Sequence, residues 1–187
     1  MKKITLSALI LSTMMAFSAC NSNKTEDTKD VAEEQNEAKL DDTALEDDSE
    51  FAVAAADGGM MEVQLGELAQ TNAASADVKK FGKMMADDHG KAGEELKTLA
   101  QQKNITLPTA LSDDKQKKYD DLAAKKGADF DKAYMSFMVD DHKEDIKEFE
   151  EAVNDAKDPD VKTWAQGKLP VLKHHLQMAE SINDAKK

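Results

Sequence analysis

From Phe51 onward no stretch of the chain alternates polar and apolar residues as a half-buried strand would; apolar residues recur instead every three or four positions. That periodicity restricts the fold to packed helices. The first is expected over 51–72, with Met61, Leu65, Leu68 and Ala69 on its apolar face and a local weakness at Gly58-Gly59. Ser75 is placed to cap a second helix reaching Lys103, with Val78, Phe81, Met85, Leu96 and Leu99 inward. Pro108 interrupts the pattern in "NITLPTALSDD", and Ser112 then opens a short helix that Gly127 stops. A third long helix is expected over 129–156. Asp158-Pro159, a cap followed by proline at the first helical position, opens a fourth, in which Pro170 predicts a kink. The expected fold is all-α: a four-helix bundle with a short extra helix in the crossover between helices 2 and 3.

The apolar stripes are interrupted by polar residues at one height. "MADDH" at 85–89 and "MVDDH" at 138–142 are near copies, and each is followed by a Glu-Leu or Glu-Phe pair. At about 1.5 Å per residue, Glu62, His89, His142 and His175 all fall near the middle of their helices. At about 100° per residue, Asp88 falls near the centre of its apolar stripe with His89 on the flank, and Asp141 and His142 take the same two places. Asp145, His175 and Glu62 also face inward, whereas Glu67 and His174 face water. Buried acids are costly unless they are paired or bind a metal, and the chain contains no arginine to pair them. Lys168 is the organic counter-ion expected nearby. Clustered Asp, Glu and His suit a transition metal ion, whether iron, manganese, zinc or copper. The candidate ligands are therefore Glu62, Asp88, His89, Asp141, His142, Asp145 and His175. The competing reading is a polar layer of Asp–His hydrogen bonds that fixes the register of the bundle.

The amino terminus carries an address. Lys2 and Lys3 precede an apolar run over 4–17, small residues follow, and then comes the only cysteine, Cys20. This is the pattern of a secretory signal over 1–19, and it resembles a lipoprotein signal in which Cys20 becomes the lipidated first residue. A single cysteine permits no disulfide within the chain. Residues 21–50 hold twelve acids, three lysines and no aromatic residue, so 20–49 is expected to be a lipidated cysteine on a disordered acidic tether with at most a transient helix over 31–40, and the bundle is expected at 50–187. Loss of Lys2 and Lys3 with the signal takes the formal charge from −13 to −15. With no basic stripe, nucleic acid is excluded as a partner. The expected location is the cell envelope, with a membrane, most simply the outer membrane, held through the anchor.

Four blocks, "FAVAAADGGMMEVQLGELAQ", "VKKFGKMMADDHGKAGEELKTLAQ", "FDKAYMSFMVDDHKEDIKEFE" and "LPVLKHHLQMA", resemble the successive segments of a domain-of-unknown-function family of exported bacterial proteins, described as putative outer-membrane proteins. The resemblance implies export and a ferritin-like helical bundle, and it implies no reaction. Di-iron carboxylate bundles use Glu-x-x-His pairs; here the position three before each inward histidine is Ala86, Val139 or Leu172. A redox enzyme is disfavoured on that ground. A metal-binding envelope lipoprotein with a buffering or stress role is expected, and the alternative is an interaction module whose polar layer is architectural and whose surface meets an envelope protein.

Overall fold

Six helices make up residues 26–41 and 43–185, which the computed structural model describes: α1 (Thr28–Leu40), α2 (Glu46–Asn72), α3 (Ala76–Lys103), α4 (Asp113–Ala123), α5 (Gly127–Asp155) and α6 (Pro159–Asp184). The signal and Cys20 lie outside the described residues. The expected all-α class holds, with no strand among the described residues. Ser112 caps α4 by accepting from Lys115 N, and Asp158 caps α6 ahead of Pro159 as its sequence requires. Helix α6 continues past Pro170 to Asp184. None of the described helices is long and apolar enough to cross a membrane.

Contacts at the helix ends fix the directions of the four long helices. The α2–α3 turn lies at the start of α5, where Asp131 accepts from Ala74 N at 3.1 Å and Ser75 N at 3.0 Å. At the opposite end Lys103, the last residue of α3, pairs with Asp158 and Asp160 at the start of α6. Near the start of α2, Asp48 accepts from Lys157 N and Asp158 N in the α5–α6 turn. Helices α2 and α3 are therefore antiparallel, as are α5 and α6, while α3 and α5 run parallel. The chain must travel back along the bundle between α3 and α5, and α4 lies on that return.

Three buried carboxylates hold these connections. Asp48, Asp57 and Asp131 each direct both oxygens at donors in a turn or crossover; Asp57 receives Ser112 N at 2.9 Å and Ser112 Oγ at 2.6 Å. In a chain without arginine, main-chain N–H groups do the work of a cation, and such charge-assisted bonds are the strong ones. Between them the core is filled by Met61, Leu65, Phe81, Met85, Phe130, Met135 and Met138, all essentially inaccessible. The methionines here are packing residues, as their stripe positions suggest. Helices α2 and α3 touch backbone to backbone at one point: a Cβ on Gly82 would stand 2.7 Å from the Gly66 carbonyl oxygen.

The segment expected to be a tether departs from that expectation. Residues 28–40 form α1, α2 begins at Glu46 rather than Phe51, and Asp48 and Ser49 are buried. The helical unit thus extends upstream of Glu50. Composition misjudged this stretch because its anchoring is polar. Asn36 donates to Thr106 O at 2.8 Å and accepts from Thr106 N at 2.7 Å, and Asp27 caps α1 while accepting from Asp113 N at 2.7 Å. Ala32 and Leu40 are its only fully buried apolar side chains. Helix α1 therefore lies across the crossover and holds it down. Asn36→Ala should cost about 1–3 kcal/mol, because it removes both hydrogen bonds between the buried Asn36 amide and the half-buried Thr106 backbone; thermal unfolding monitored by circular dichroism checks this, and an unchanged midpoint would contradict the docking of α1.

Candidate metal centre

Six of the seven expected residues fall into two groups that share His142 rather than into one, and Asp88 reaches His175 from outside them. Glu62 comes from α2, Asp88 and His89 from α3, Asp141, His142 and Asp145 from α5, and His175 from α6. His142 and His175 are fully buried, Glu62 is 3% exposed, and His174 and Glu67 face solvent as their helical positions require. One pair is reversed. His89 points inward and Asp88 lies with its side chain 46% exposed, although Asp88 was expected at the centre of the stripe. The reason is that α3 packs most closely on α2, across the Gly66–Gly82 contact. The α2 side sets which way is inward, so His89 meets Glu62 and Asp88 is left to reach α6.

The imidazoles form an ordered set. His89 Nδ1 lies 2.7 Å from Glu62 Oε2, His142 Nδ1 lies 3.1 Å from the Met138 carbonyl oxygen, and His175 Nε2 lies 3.0 Å from Asp88 Oδ2. Each ring thus has one nitrogen against an acceptor. Among the remaining nitrogens, His142 Nε2 stands 3.4 Å from His175 Nδ1, and His89 Nε2 is buried without a hydrogen-bond partner. A proton count shows the consequence. The row Met138 O, His142, His175, Asp88 contains three contacts and ends in an acceptor on both sides, and two neutral rings carry two N–H protons. Whichever tautomers are chosen, one contact has no proton. Extra protons are not readily supplied, because burial pushes His89 down to about 4 and His142 down to about 3, and burial also lowers His175 despite its bond to Asp88.

A second group lies on the other side of His142. Oxygens of Glu62, Asp141 and Asp145 and one nitrogen of His142 are all within 4.8 Å of one another, as are nitrogens of His89, His142 and His175. Burial and then the neighbouring carboxylates hold Glu62 and Asp145 well above the ordinary acid range, and burial raises Asp141 to about 6. The counter-ion is Lys115 of α4, with Nζ 4.0 Å from Asp141 Oδ1. Burial opposes its charge, but Asp141, Asp145, Asp57 and Glu62 outweigh that and raise its pKa. Lys168, expected in this role, pairs instead with Glu95. Sequence periodicity gave no means of finding Lys115, because the docking of the crossover decides its position. The buried group of His, Glu and Asp could hold a metal ion.

A cleft of about 710 Å³ reaches the histidines and also Glu62 and Asp145. Asp88, His89 and His175 lie along it with Phe149, Trp164 and Leu172, and a Cβ on Gly58, Gly59 or Gly93 in its wall would meet nothing within 4 Å. A larger groove of about 950 Å³ beside α1 is lined mostly by acidic side chains and contains none of the histidines. Of these two cavities, only the smaller reaches the histidines.

The model of the family described as Domain of unknown function (DUF4142) matches residues 30–182. The chain belongs to this family. The matched region runs from within α1 to the last turn of α6, so the family unit includes α1 as well as the bundle and contains every residue of the centre. No curated protein and no solved structure matches the chain.

The carboxylate side makes a prediction with a defined sign. Asp141 has a folded-state pKa near 6, above the ordinary 3.8. Its ionisation therefore costs the metal-free protein stability in full above pH 6, and the cost disappears as pH falls toward 3.8. Asp141→Asn should stabilise the chelator-treated protein at pH 7 by roughly 1–3 kcal/mol, and the gain should shrink as pH falls from 6 to 4. Urea unfolding at both ends of that window checks it; an equal difference at the two pH values would contradict the assignment.

Proposed function

We propose that this protein is a lipoprotein of the cell envelope, anchored through Cys20, whose ferritin-like bundle binds a transition-metal ion through His89 Nε2, His142 Nε2 and His175 Nδ1. The observation that carries this reading is the missing proton. His142 Nε2 and His175 Nδ1 meet at 3.4 Å in a row that is one proton short, and His89 Nε2 stands unpartnered beside them. A cation supplies what the row lacks. Two nitrogens each about 2.0–2.1 Å from a tetrahedral ion lie about 3.3–3.4 Å apart, which agrees with the observed spacing. Behind the three ligands, Glu62, the Met138 carbonyl and Asp88 fix ring orientation as outer partners commonly do at metal sites.

Three neutral imidazoles favour zinc, copper or iron over manganese among the ions the sequence suggests. Three protein ligands leave a further position, as catalytic sites do and closed structural sites do not, and that position would face the cleft. The single long crossover between α3 and α5 is the connection that ferritin-like bundles use. The ligand set is not the Glu-x-x-His arrangement of the di-iron members, which favours holding a metal over oxidising with one. Metal buffering in the envelope is the role this supports.

The test is elemental analysis and thermal unfolding of the chain carrying Cys20→Ser, purified without a histidine tag. One tightly held ion per chain is expected, raising stability by about 2.7 kcal/mol at a hundredfold excess over its dissociation constant. His142→Ala and His175→Ala should remove the ion, and His174→Ala should keep it. Asp88→Asn should weaken binding about 10–100-fold rather than abolish it. Equal behaviour of the His174 and His175 variants would overturn the site, and Cys20→Ser remaining in the membrane fraction would overturn the anchor.

A further inference from the structure

The far side of His142 contains polar atoms that the histidine site does not use. Glu62 Oε1 and Asp145 Oδ2 are buried and have no hydrogen-bond partner, and Tyr134 Oη, on a residue with no accessible surface, is likewise unpartnered. Glu62 bridges the two sides: Oε2 holds His89, whereas Oε1 faces His142 Nδ1 at 3.5 Å without bonding to it. Asp141 completes the group at 7% exposure. Unlike Asp48, Asp57 and Asp131, whose oxygens receive backbone N–H groups, these three carboxylates face one another. The nearest cation, Lys115 Nζ at 4.0 Å, is beyond hydrogen-bonding distance. Its side chain is 35% exposed, so it can swing toward solvent.

We propose that Glu62 Oε1, Asp141 and Asp145 form a second cation site, for a hard divalent ion of the manganese class, which Lys115 neutralises when no ion is bound. The chemistry follows from the donors. Carboxylate oxygens select hard ions, whereas the imidazoles opposite select softer ones, so the two sides of His142 divide ions between them. Oxygens up to 4.8 Å apart can close on an ion of that class with small side-chain shifts. Tyr134 Oη–H is then available to donate to a carboxylate or to water on the ion. This inference deepens the metal-binding reading and shares Glu62 with it, but it does not require the first ion.

The test uses the full mature chain with Cys20→Ser, stripped with chelator and titrated with Zn²⁺ and then Mn²⁺. Manganese is followed by its paramagnetic resonance signal and by calorimetry. One Mn²⁺ should bind in addition to Zn²⁺. Asp145→Asn should weaken Mn²⁺ at least tenfold and leave Zn²⁺ in place; His175→Ala should do the reverse. Lys115→Met, on a partly exposed side chain outside the packed core, should tighten Mn²⁺ severalfold because the competing internal cation is gone. Circular dichroism confirms the fold of each variant. Absence of Mn²⁺ binding at millimolar concentration in both the parent and Lys115→Met would overturn the second site, as would Mn²⁺ affinity indifferent to both substitutions. Loss of Zn²⁺ binding with Mn²⁺ retained would overturn the histidine site alone.

Discussion

Every acid buried in this bundle must be met by something other than arginine, because the chain has none. The architecture depends on how that is done. At the turns and the crossover the answer is the main chain. Asp48, Asp57 and Asp131 collect backbone N–H groups and hold the connections in register. At mid-height all backbone donors are already committed to the helices, and the acids there face imidazoles, one lysine and each other. The contrast separates structural from chemical carboxylates. The first are satisfied as they stand, and the second are not.

The two classes are linked through α4. Asp57 on α2 accepts from both donors of Ser112, Ser112 caps α4, and that helix brings Lys115 to Asp141. Helix α1 lies over the same crossover through Asn36 and Asp27. A segment with little apolar surface thus lies over the piece of chain that carries the cation.

The four long helices, the short crossover helix and two of the caps were legible because they depend on local rules: Ser112 and Asp158-Pro159 act where their sequence places them, whereas Ser75 stands at the start of α3 without a side-chain cap bond. The inward positions of Glu62, Asp145 and His175, and the outward ones of Glu67 and His174, followed from the helical repeat. What the repeat cannot resolve is a difference of one residue at the edge of a stripe. Asp88 and His89 are about 100° apart, and the choice between them was made by the glycine contact between α2 and α3, a tertiary feature. Lys115, Asn36 and Tyr134 were missed for a related reason. Their roles come from the path of the crossover and from a phenol whose stripe position reads simply as core. Polar docking of α1 has no periodic signature, and composition alone pointed the other way.

The placement of α1 has a mechanical consequence. In a chain held at its amino-terminal side, any pull reaches Asp27 and α1 before it reaches the long helices. That helix contributes two buried apolar side chains and a small set of polar contacts, so it belongs to the least stable part of the fold. Tension would peel it from the crossover while the four long helices remain packed. The first thing released is the strap over the loop leading to Lys115, so such a pull would loosen the approach of the lysine to Asp141 before it disturbed the long helices.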